Sequence, residues 1–351
     1  MAGPVPFAHA YGRPEQIGQQ IGQQLGEEIR ALLRALGIPE RYSTPQHSNR
    51  LDKVMSNLEN QAPQLVEEMS GIARGAAVSE RDIHMLNCIT ELAAVSCSII
   101  AFSDAPGGPV IGRTFDSPAG HPSAYAIVAI DHAGGSQILA ATWPGTVWVA
   151  AGVNGRGLAL ATASVRTGEY NEEGIPAGMV SRLVLEQAPS ASRAVELLAE
   201  IPMTMHPFNA AVADEGQALL GERSVYKVSV REPEAGTLCA TNHFRNPDLA
   251  ELCNEPEEVL GESRERLARL EELANSHPHA KEEAMHILAD HGQPPICKHD
   301  SGSTTTVAAC VLRPRARVMW FAAGRPCDSP FRPFQLKLPV SGGGGIVGYG
   351  T

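Results

Sequence analysis

The stretch that decides the fold reads Val95-Ser96-Cys97-Ser98-Ile99-Ile100-Ala101-Phe102. It is followed, after Gly107-Gly108, by Val110-Ile111-Gly112-Arg113-Thr114-Phe115-Asp116. Both runs are rich in β-branched and aromatic residues and are separated by turn formers, which predicts a hairpin. A thiol opens the first strand, and an arginine and a carboxylate stand on the return strand. A free cysteine is often only a small core residue; this setting instead suits a nucleophile. A thiolate nucleophile needs a base, an orienting group and an oxyanion hole. The segment has no histidine, so the base must come from elsewhere. Cleavage of the Ser96–Cys97 bond would supply it: a free α-amine has a reference pKa of about 7.7–8.0, close to working pH.

The residues before Cys97 read as helical. Ile17, Ile21, Leu25, Ile29, Leu32, Leu33 and Leu36 recur mostly at spacings of three and four, an amphipathic stripe. A second helical stretch runs from about 49 to 73, with Pro63 expected to break it. A third starts near Ser79, where Ser79-Glu80-Arg81-Asp82 resembles a capping box, and carries Ile83, Leu86, Ile89 and Leu92.

Beyond Val95 the texture changes to short β-prone runs near 95–103, 109–116, 124–132, 136–143, 146–153 and 157–164. Asn154-Gly155 reads as a two-residue hairpin turn. Helices return near 176–188 and 190–200. A second β group covers 208–214, 217–222, 225–231 and 236–242, and a Glu/Arg/Leu-rich helix covers 262–276. A last hairpin covers 304–312 and 317–323. This order is not a βαβ repeat; it suits stacked antiparallel sheets flanked by helices. The tail Ser341-Gly342-Gly343-Gly344-Gly345 reads as a flexible end.

The 351 residues are 43% apolar and 19% charged, enough for a large core, and carry a net charge of −11. The lack of a basic block argues against nucleic acid. No uninterrupted apolar run reaches the length of a membrane span, and no signal peptide is evident at the start. The seven cysteines are scattered without a Cys-x-x-Cys pair. That argues against a disulfide framework and a structural zinc site, and for a reducing, cytoplasmic setting. His277, His279, His286, His291 and His299 lack recognisable zinc spacing and read as surface or loop residues, so neither metal nor cofactor is expected. Gly152-Val153-Asn154-Gly155-Arg156-Gly157 lies between strands and reads as a turn rather than a phosphate loop. No Gly-x-Ser-x-Gly elbow occurs, which argues against an α/β-hydrolase.

The segment from Cys97 to Asp116 resembles the cysteine-nucleophile segment of the acyl-coenzyme A:6-aminopenicillanic acid acyltransferase family, a cysteine-peptidase-type (C45) branch of the Ntn hydrolases. Those proteins typically show Gly-Cys-Thr-Ser-Phe-Ala, a turn, then Gly-Arg-Asn-x-Asp. Further blocks follow in the family's order over nearly the whole chain. Asn87-Cys88-Ile89-Thr90-Glu91-Leu92 is similar to Asn-x-x-Thr-Glu-Leu, and Phe208-Asn209-Ala210-Ala211-Val212-Ala213-Asp214 to the Asn-bearing strand. Thr241-Asn242-His243-Phe244 is similar to Thr-Asn-His-Phe, and Gly324-Arg325-Pro326-Cys327 to Gly-x-Pro-Cys. Two positions differ. Ser96 stands where the family usually has Gly, and 301–306, around Ser303 and Thr304, lacks the arginine that fungal members carry shortly before the final hairpin.

The resemblance implies a four-layer αββα Ntn-hydrolase sandwich. In it a helical segment 1–96, an α chain or propeptide, and a catalytic segment 97–351, the β chain, form one domain. It implies Cys97 as nucleophile, Asp116 as the carboxylate that positions it, and Asn209 as an oxyanion-hole donor. Arg113, His243, Ser303 and Thr304 are supporting or substrate-binding candidates, and Ser96–Cys97 is the autoproteolytic site of a zymogen. The expected chemistry is acyl transfer or amide hydrolysis through acyl-Cys97, in secondary metabolism. The donor is a small amide or thioester such as acyl-CoA, and the acceptor an amine or water. A homo-oligomer is compatible with this reading. The alternatives are a bile-salt-hydrolase-like amidase, against which the 96 preceding residues argue, and an uncleaved, non-catalytic binding or scaffold protein, which Ser96 keeps open.

Overall fold

The computed structural model describes residues 5–38, 40–89, 96–118, 125–299 and 304–336. Thr90-Glu91-Leu92, Val95, Ser303 and the glycine-rich tail therefore lie outside the described residues.

The chain begins with β1 (Phe7–Gly12) and five helices: α1 (Pro14–Gln24), α2 (Gly26–Leu36), α3 (Pro45–Gln61), α4 (Pro63–Ala76) and α5 (Glu80–Ile89). Pro63 breaks the second helical stretch as expected. It forces Ala62 to φ −148° and ψ 56° and serves as the first residue of α4. Then come β2 (Ile99–Phe102), β3 (Val110–Pro118), β4 (Ala126–His132), β5 (Gln137–Thr142), β6 (Ala151–Asn154), β7 (Ala159–Ser164), α6 (Ala177–Gln187) and α7 (Ala191–Glu200). The rest of the described chain forms β8 (Phe208–Ala213), β9 (Ala218–Arg223), β10 (Val228–Arg231), β11 (Thr237–Ala240), α8 (Pro247–Ala250), α9 (Glu257–Ser276), α10 (Lys281–Leu288), β12 (Thr304–Arg313), β13 (Val318–Ala323) and β14 (Arg332–Gln335).

Two sheets result. One has the order β1-β4-β5-β6-β7-β8-β9-β10, the other β11-β2-β3-β12-β13-β14. Strand alternation assigns their faces: Ile99 and Ile111 point into the core between the sheets, with Leu139, Val153 and Ala211 opposite. Ile100 and Val110 point the other way, onto Leu267 and Leu270 of α9 and Ile287 of α10. The outer face of the eight-stranded sheet, including Val128, Ile130 and Leu160, packs on Ile17, Leu65, Met69 and Val180 of the other helices. The layers are therefore α, β, β, α, the expected sandwich. Each fully buried Leu, Ile or Phe contributes about 1.5–3 kcal/mol to holding them together.

α1 and α4 approach closely because glycines face each other. A Cβ on Gly18 would lie 1.9 Å from the Glu68 carbonyl oxygen, and one on Gly71 would lie 2.2 Å from that of Glu15. Behind this pair, the fully buried Arg182 of α6 bonds Glu68 of α4 at 2.7 Å and Glu186 at 2.6 Å, tying the helix layer to itself.

Four details depart from the sequence reading. The first segment is not all helix: β1 pairs in parallel with β4, a pairing that the long helical connection between them permits. Asn154-Gly155 is not a two-residue turn. Residues 155–158 form the loop, and Asn154 Oδ1 accepts from the backbone N–H of Arg156 and Leu158. The 262–276 helix starts earlier, at Glu257. Finally, α10 and β14 carry too little periodic signal to be read from sequence.

Candidate active site

Cys97 lies two residues before β2, on the face that points between the sheets, and is 1% exposed. The register of β2 on β3 sets Ile99 opposite Arg113, and an isolated bridge joins Ser96 to Asp116. Every atom of the Ser96–Cys97 peptide that can be held is held. The Ser96 carbonyl oxygen accepts from the Asp116 backbone N–H at 3.0 Å. The Cys97 N–H donates to Asn242 Oδ1 at 3.0 Å, and Arg113 Nη2 donates to Cys97 Sγ at 3.2 Å. Burial disfavours the Arg113 cation, but the Cys97 sulfur beside it raises the guanidinium above its ordinary value. Its other end is anchored on the Ala150 carbonyl, and its plane lies 4.1 Å over the Phe115 ring.

Behind the bond lies a cluster of charges. Asp116 is buried, and its Oδ1 accepts from the Thr306 hydroxyl at 2.8 Å. Burial pushes the Asp116 carboxyl up, while the Lys298 and Arg266 cations pull it back down. Thr306 sits opposite Asp116 just before an irregularity in the β12–β3 register, which re-aims the chain at the site. Lys298 Nζ reaches Ser96 Oγ and Thr304 Oγ1, both at 3.1 Å, and is paired with Glu262. Burial lowers the Lys298 amine, as does the nearby Arg266; Asp116 and Glu262 oppose this. Arg266, one helical turn after Glu262, donates to Asn242 Oδ1 at 2.6 Å and to the Cys97 carbonyl at 3.4 Å. The Asn242 amide is thereby oriented: its oxygen faces Arg266 and Cys97, and its nitrogen donates to the Ser164 carbonyl at 2.8 Å.

A cavity of about 280 Å³ opens beside this cluster. One part of its wall is aromatic and apolar: Tyr125, Trp143, Trp148, Val149 and Phe208. The other carries Arg113, Arg166, Arg266, Lys298 and His206, with Glu255 and Glu262 among them. Ser96 lines the cavity, whereas its neighbour Cys97 is buried and is not among the lining residues. Burial, with Arg50 and Arg166 nearby, drops His206 to about 4, so its ring is neutral near pH 7.

The sequence candidates thus divide. Cys97, Arg113, Asp116 and Ser96 meet at one point, and Thr304 joins them through Lys298. Asn209 is buried, but its amide nitrogen donates to the carbonyls of Thr241 and His243, both at 2.9 Å, so it braces the loop after β11 that carries Asn242. His243 faces Ser263 Oγ at 2.8 Å and Thr241 Oγ1 at 3.2 Å; burial and surrounding arginines lower it to about 4. Ser303 lies outside the described residues. The sequence reading missed Asn242, Arg266, Lys298 and Glu262 as site residues. Asn242 stood inside a quoted block, and an arginine fully buried in a charged helix shows no sequence signal. The stretch 301–306 contains no arginine; among the described residues, Lys298, from the loop just before it, and Arg266, from α9, bring cations to this place.

The family model described as acyl-coenzyme A:6-aminopenicillanic acid acyl-transferase matches residues 103–328, well over half of the chain. The chain belongs to this family. It is accordingly an enzyme of the acyltransferase or amidohydrolase kind, with the α+β sandwich expected of it. No curated protein matches the sequence. Among solved structures, penicillin V acylase from Agrobacterium tumefaciens is similar at 12% identity over 65% of this chain and 82% of that one, with a TM-score of 0.43. A Caenorhabditis elegans N-acylethanolamine-hydrolyzing acid amidase ortholog is similar at 16% identity over 62% and 93%, with a TM-score of 0.47. The C2A mutant of conjugated bile acid hydrolase from Clostridium perfringens is similar at 13% identity over 70% and 98%, with a TM-score of 0.42. Among the described residues, no helix is long and apolar enough to cross a membrane.

Proposed function

We propose that this acyltransferase-family chain is a precursor that cuts its own Ser96–Cys97 bond and then works through acyl-Cys97. One observation carries the reading: the carbonyl oxygen, the amide nitrogen and the thiol at this bond each have a dedicated partner, in Asp116, Asn242 and Arg113. In the cut, Cys97 Sγ attacks the Ser96 carbonyl carbon. The Asp116 N–H stabilises the oxyanion that forms on the Ser96 oxygen. The C–N bond breaks, the Cys97 nitrogen takes the thiol proton, and a thioester remains. Water hydrolyses it, leaving the Ser96 carboxylate and a Cys97 with free thiol and free amine. Ser96 in place of Gly is compatible with this. It is not among the residues with positive φ, and its Oγ is held by Lys298.

Release of Ser96 uncovers the thiol to the cavity. The new α-amine, held against Asn242 Oδ1, is the base that takes the thiol proton as sulfur attacks an acyl donor. The aromatic wall suits the acyl group. The polar wall sets Arg166, Arg266 and Lys298 against Glu255 and Glu262, a small cationic excess that suits an anionic donor or acceptor, such as the coenzyme A thioester and the carboxylate-bearing amine in the family's name. Transfer to an amine and hydrolysis share acyl-Cys97 and differ only in what attacks it; for the amine case, a place in secondary metabolism rests on the family resemblance alone. The leader stays attached after the cut, because β1 is hydrogen-bonded to β4 and α1–α5 share the core of the outer helix layer.

Intact mass under denaturing conditions tests this. Pieces 1–96 and 97–351, roughly 10 and 27 kDa by share of the 37.3 kDa chain, are expected. Cys97→Ala should remain one chain and lose turnover. A wild-type chain that stays whole and reacts with no thioester or amide would favour the binding-protein alternative.

A further inference from the structure

A second group of chemically active side chains lies outside the acyl-transfer site. His291 follows α10, Cys297 and His299 lie on the approach to β12, and Cys327 lies in the turn after β13, inside the Gly-x-Pro-Cys block that the acyl chemistry does not use. One ligand atom from each falls within 4.8 Å of all the others. His291 Nε2 is 3.0 Å from His299 Nε2, and His299 Nε2 is 3.3 Å from Cys327 Sγ. Cys297 Sγ is 3.6 Å from Cys327 Sγ and 3.9 Å from His299 Nε2.

We propose that His291, Cys297, His299 and Cys327 form a structural zinc site. Tetrahedral zinc with bonds of about 2.3 Å to sulfur and about 2.0–2.1 Å to nitrogen sets its ligand atoms about 3.8 Å apart for two sulfurs, about 3.6 Å for sulfur and nitrogen and about 3.3 Å for two nitrogens. These four separations straddle the ideal values within a few tenths of an ångström, and His291 lies within 4.8 Å of both sulfurs. The two imidazoles stand edge to face, 89° apart, with their Nε2 atoms 3.0 Å from each other. Two thiols and two imidazoles are a soft, four-coordinate donor set that suits zinc, and with all positions filled by protein the site is structural. His291 and Cys327 are exposed, which gives the ion a path in. On binding, each thiol gives up a proton to solvent, and the two thiolates neutralise the dication. His299 then carries its proton on Nδ1, so Arg325, now 3.2 Å from that atom, gives up the contact and keeps Asp328.

The site escaped the sequence reading because Cys297-Lys298-His299 and Cys327 are separated by a whole hairpin. Its consequence is local. Lys298 stands between two ligands, and its backbone is paired on both sides with Thr306, which holds Asp116. The ion would fasten the segment that carries Lys298 into the cavity.

The test is metal analysis of the tag-free full chain grown with zinc. One zinc per chain is expected, together with a thiolate-to-cobalt charge-transfer band after cobalt replacement. Cys297→Ser/Cys327→Ser should lose both, and Cys97→Ala should keep both. Should the double variant fold poorly, the exposed His291→Gln serves instead, with zinc affinity against a chelating dye reduced at least about tenfold. A chain with only trace metal and no cobalt–thiolate band would overturn the proposal. So would a Cys297–Cys327 disulfide in peptide mapping, or metal lost with Cys97 rather than with Cys327.

Discussion

The side-chain oxygen of Asn242 lies 3.0 Å from the backbone nitrogen of Cys97, and Arg266 holds it there from 2.6 Å away. In the proposed cut the Cys97 nitrogen is an amide before and an amine after, and a neutral amide oxygen is the right partner for both. It accepts an N–H in both states and adds no charge that would hold the amine protonated.

Asn242→Ala should therefore weaken cutting and turnover together. Loss of positioning for a general base costs about 10²-fold or more in rate. Arg266, buried and left with Glu262 and the Cys97 carbonyl but without its shortest acceptor, should also lower stability by about 1 kcal/mol. Densitometry of the two fragments against time, with thermal unfolding of the same samples, checks both. Wild-type cutting in the alanine variant would remove Asn242 from the mechanism.

Much of this was legible in the sequence. Cys97, Arg113 and Asp116 are close in the chain, and a hairpin is local, so β-propensity and a Gly-Gly turn were enough to bring them together. Stacked antiparallel sheets flanked by helices followed from the order of periodic segments, and the four-layer arrangement from the family resemblance. What stayed hidden depends on long-range packing. Arg266 is one of several arginines in a charged helix until α9 is laid on the sheet with that side chain inward. Lys298 reads as a loop residue until β12 pairs with β3 and turns it under Ser96. β1 is a six-residue strand whose partner lies beyond five helices, too far for local pattern to announce.

Lys298→Met should separate fold from chemistry. The methionine keeps the length of the stem, and Glu262, half exposed, can be solvated without its partner. Thermal stability should change little. Cleavage of Ser96–Cys97 should slow by about ten- to a hundredfold, since a hydrogen bond from a charged donor, worth about 1.5–3 kcal/mol, is lost at Ser96. Lys298→Arg should restore part of it. Equal cleavage rates in all three proteins would make Lys298 a bystander.

Gly71→Ala tests the packing of the helix layer, which after the proposed cut would stay attached through that packing, the β1–β4 pairing and the Arg182–Glu68 ion pair. Its new methyl would meet the Glu15 carbonyl at 2.2 Å, backbone against backbone, so α1 and α4 must separate. A loss of about 1–3 kcal/mol or more is expected, read as a lower urea midpoint. In processed protein the same change should loosen the leader, seen as release of the 1–96 fragment on gel filtration.

Acid should unfold the protein through its buried histidines. His243, 9% exposed, and His206 are both lowered to about 4, chiefly by burial, against an ordinary value of 6.5. A lowered pKa in the fold means that the unfolded chain binds the proton more readily. The stabilisation is then complete above about pH 6.5 and is lost as pH falls from there toward about 4. For His243 the shift corresponds to roughly 3 kcal/mol at most. His243→Gln keeps a polar side chain that Ser263 and Thr241 can bond but does not titrate. Its urea midpoint should be lower than wild type at pH 7.5, and the difference should shrink as the pH is brought to 5. A midpoint gap that is constant across that range would mean that His243 is held in its ordinary protonation equilibrium, and that the acid sensitivity lies elsewhere.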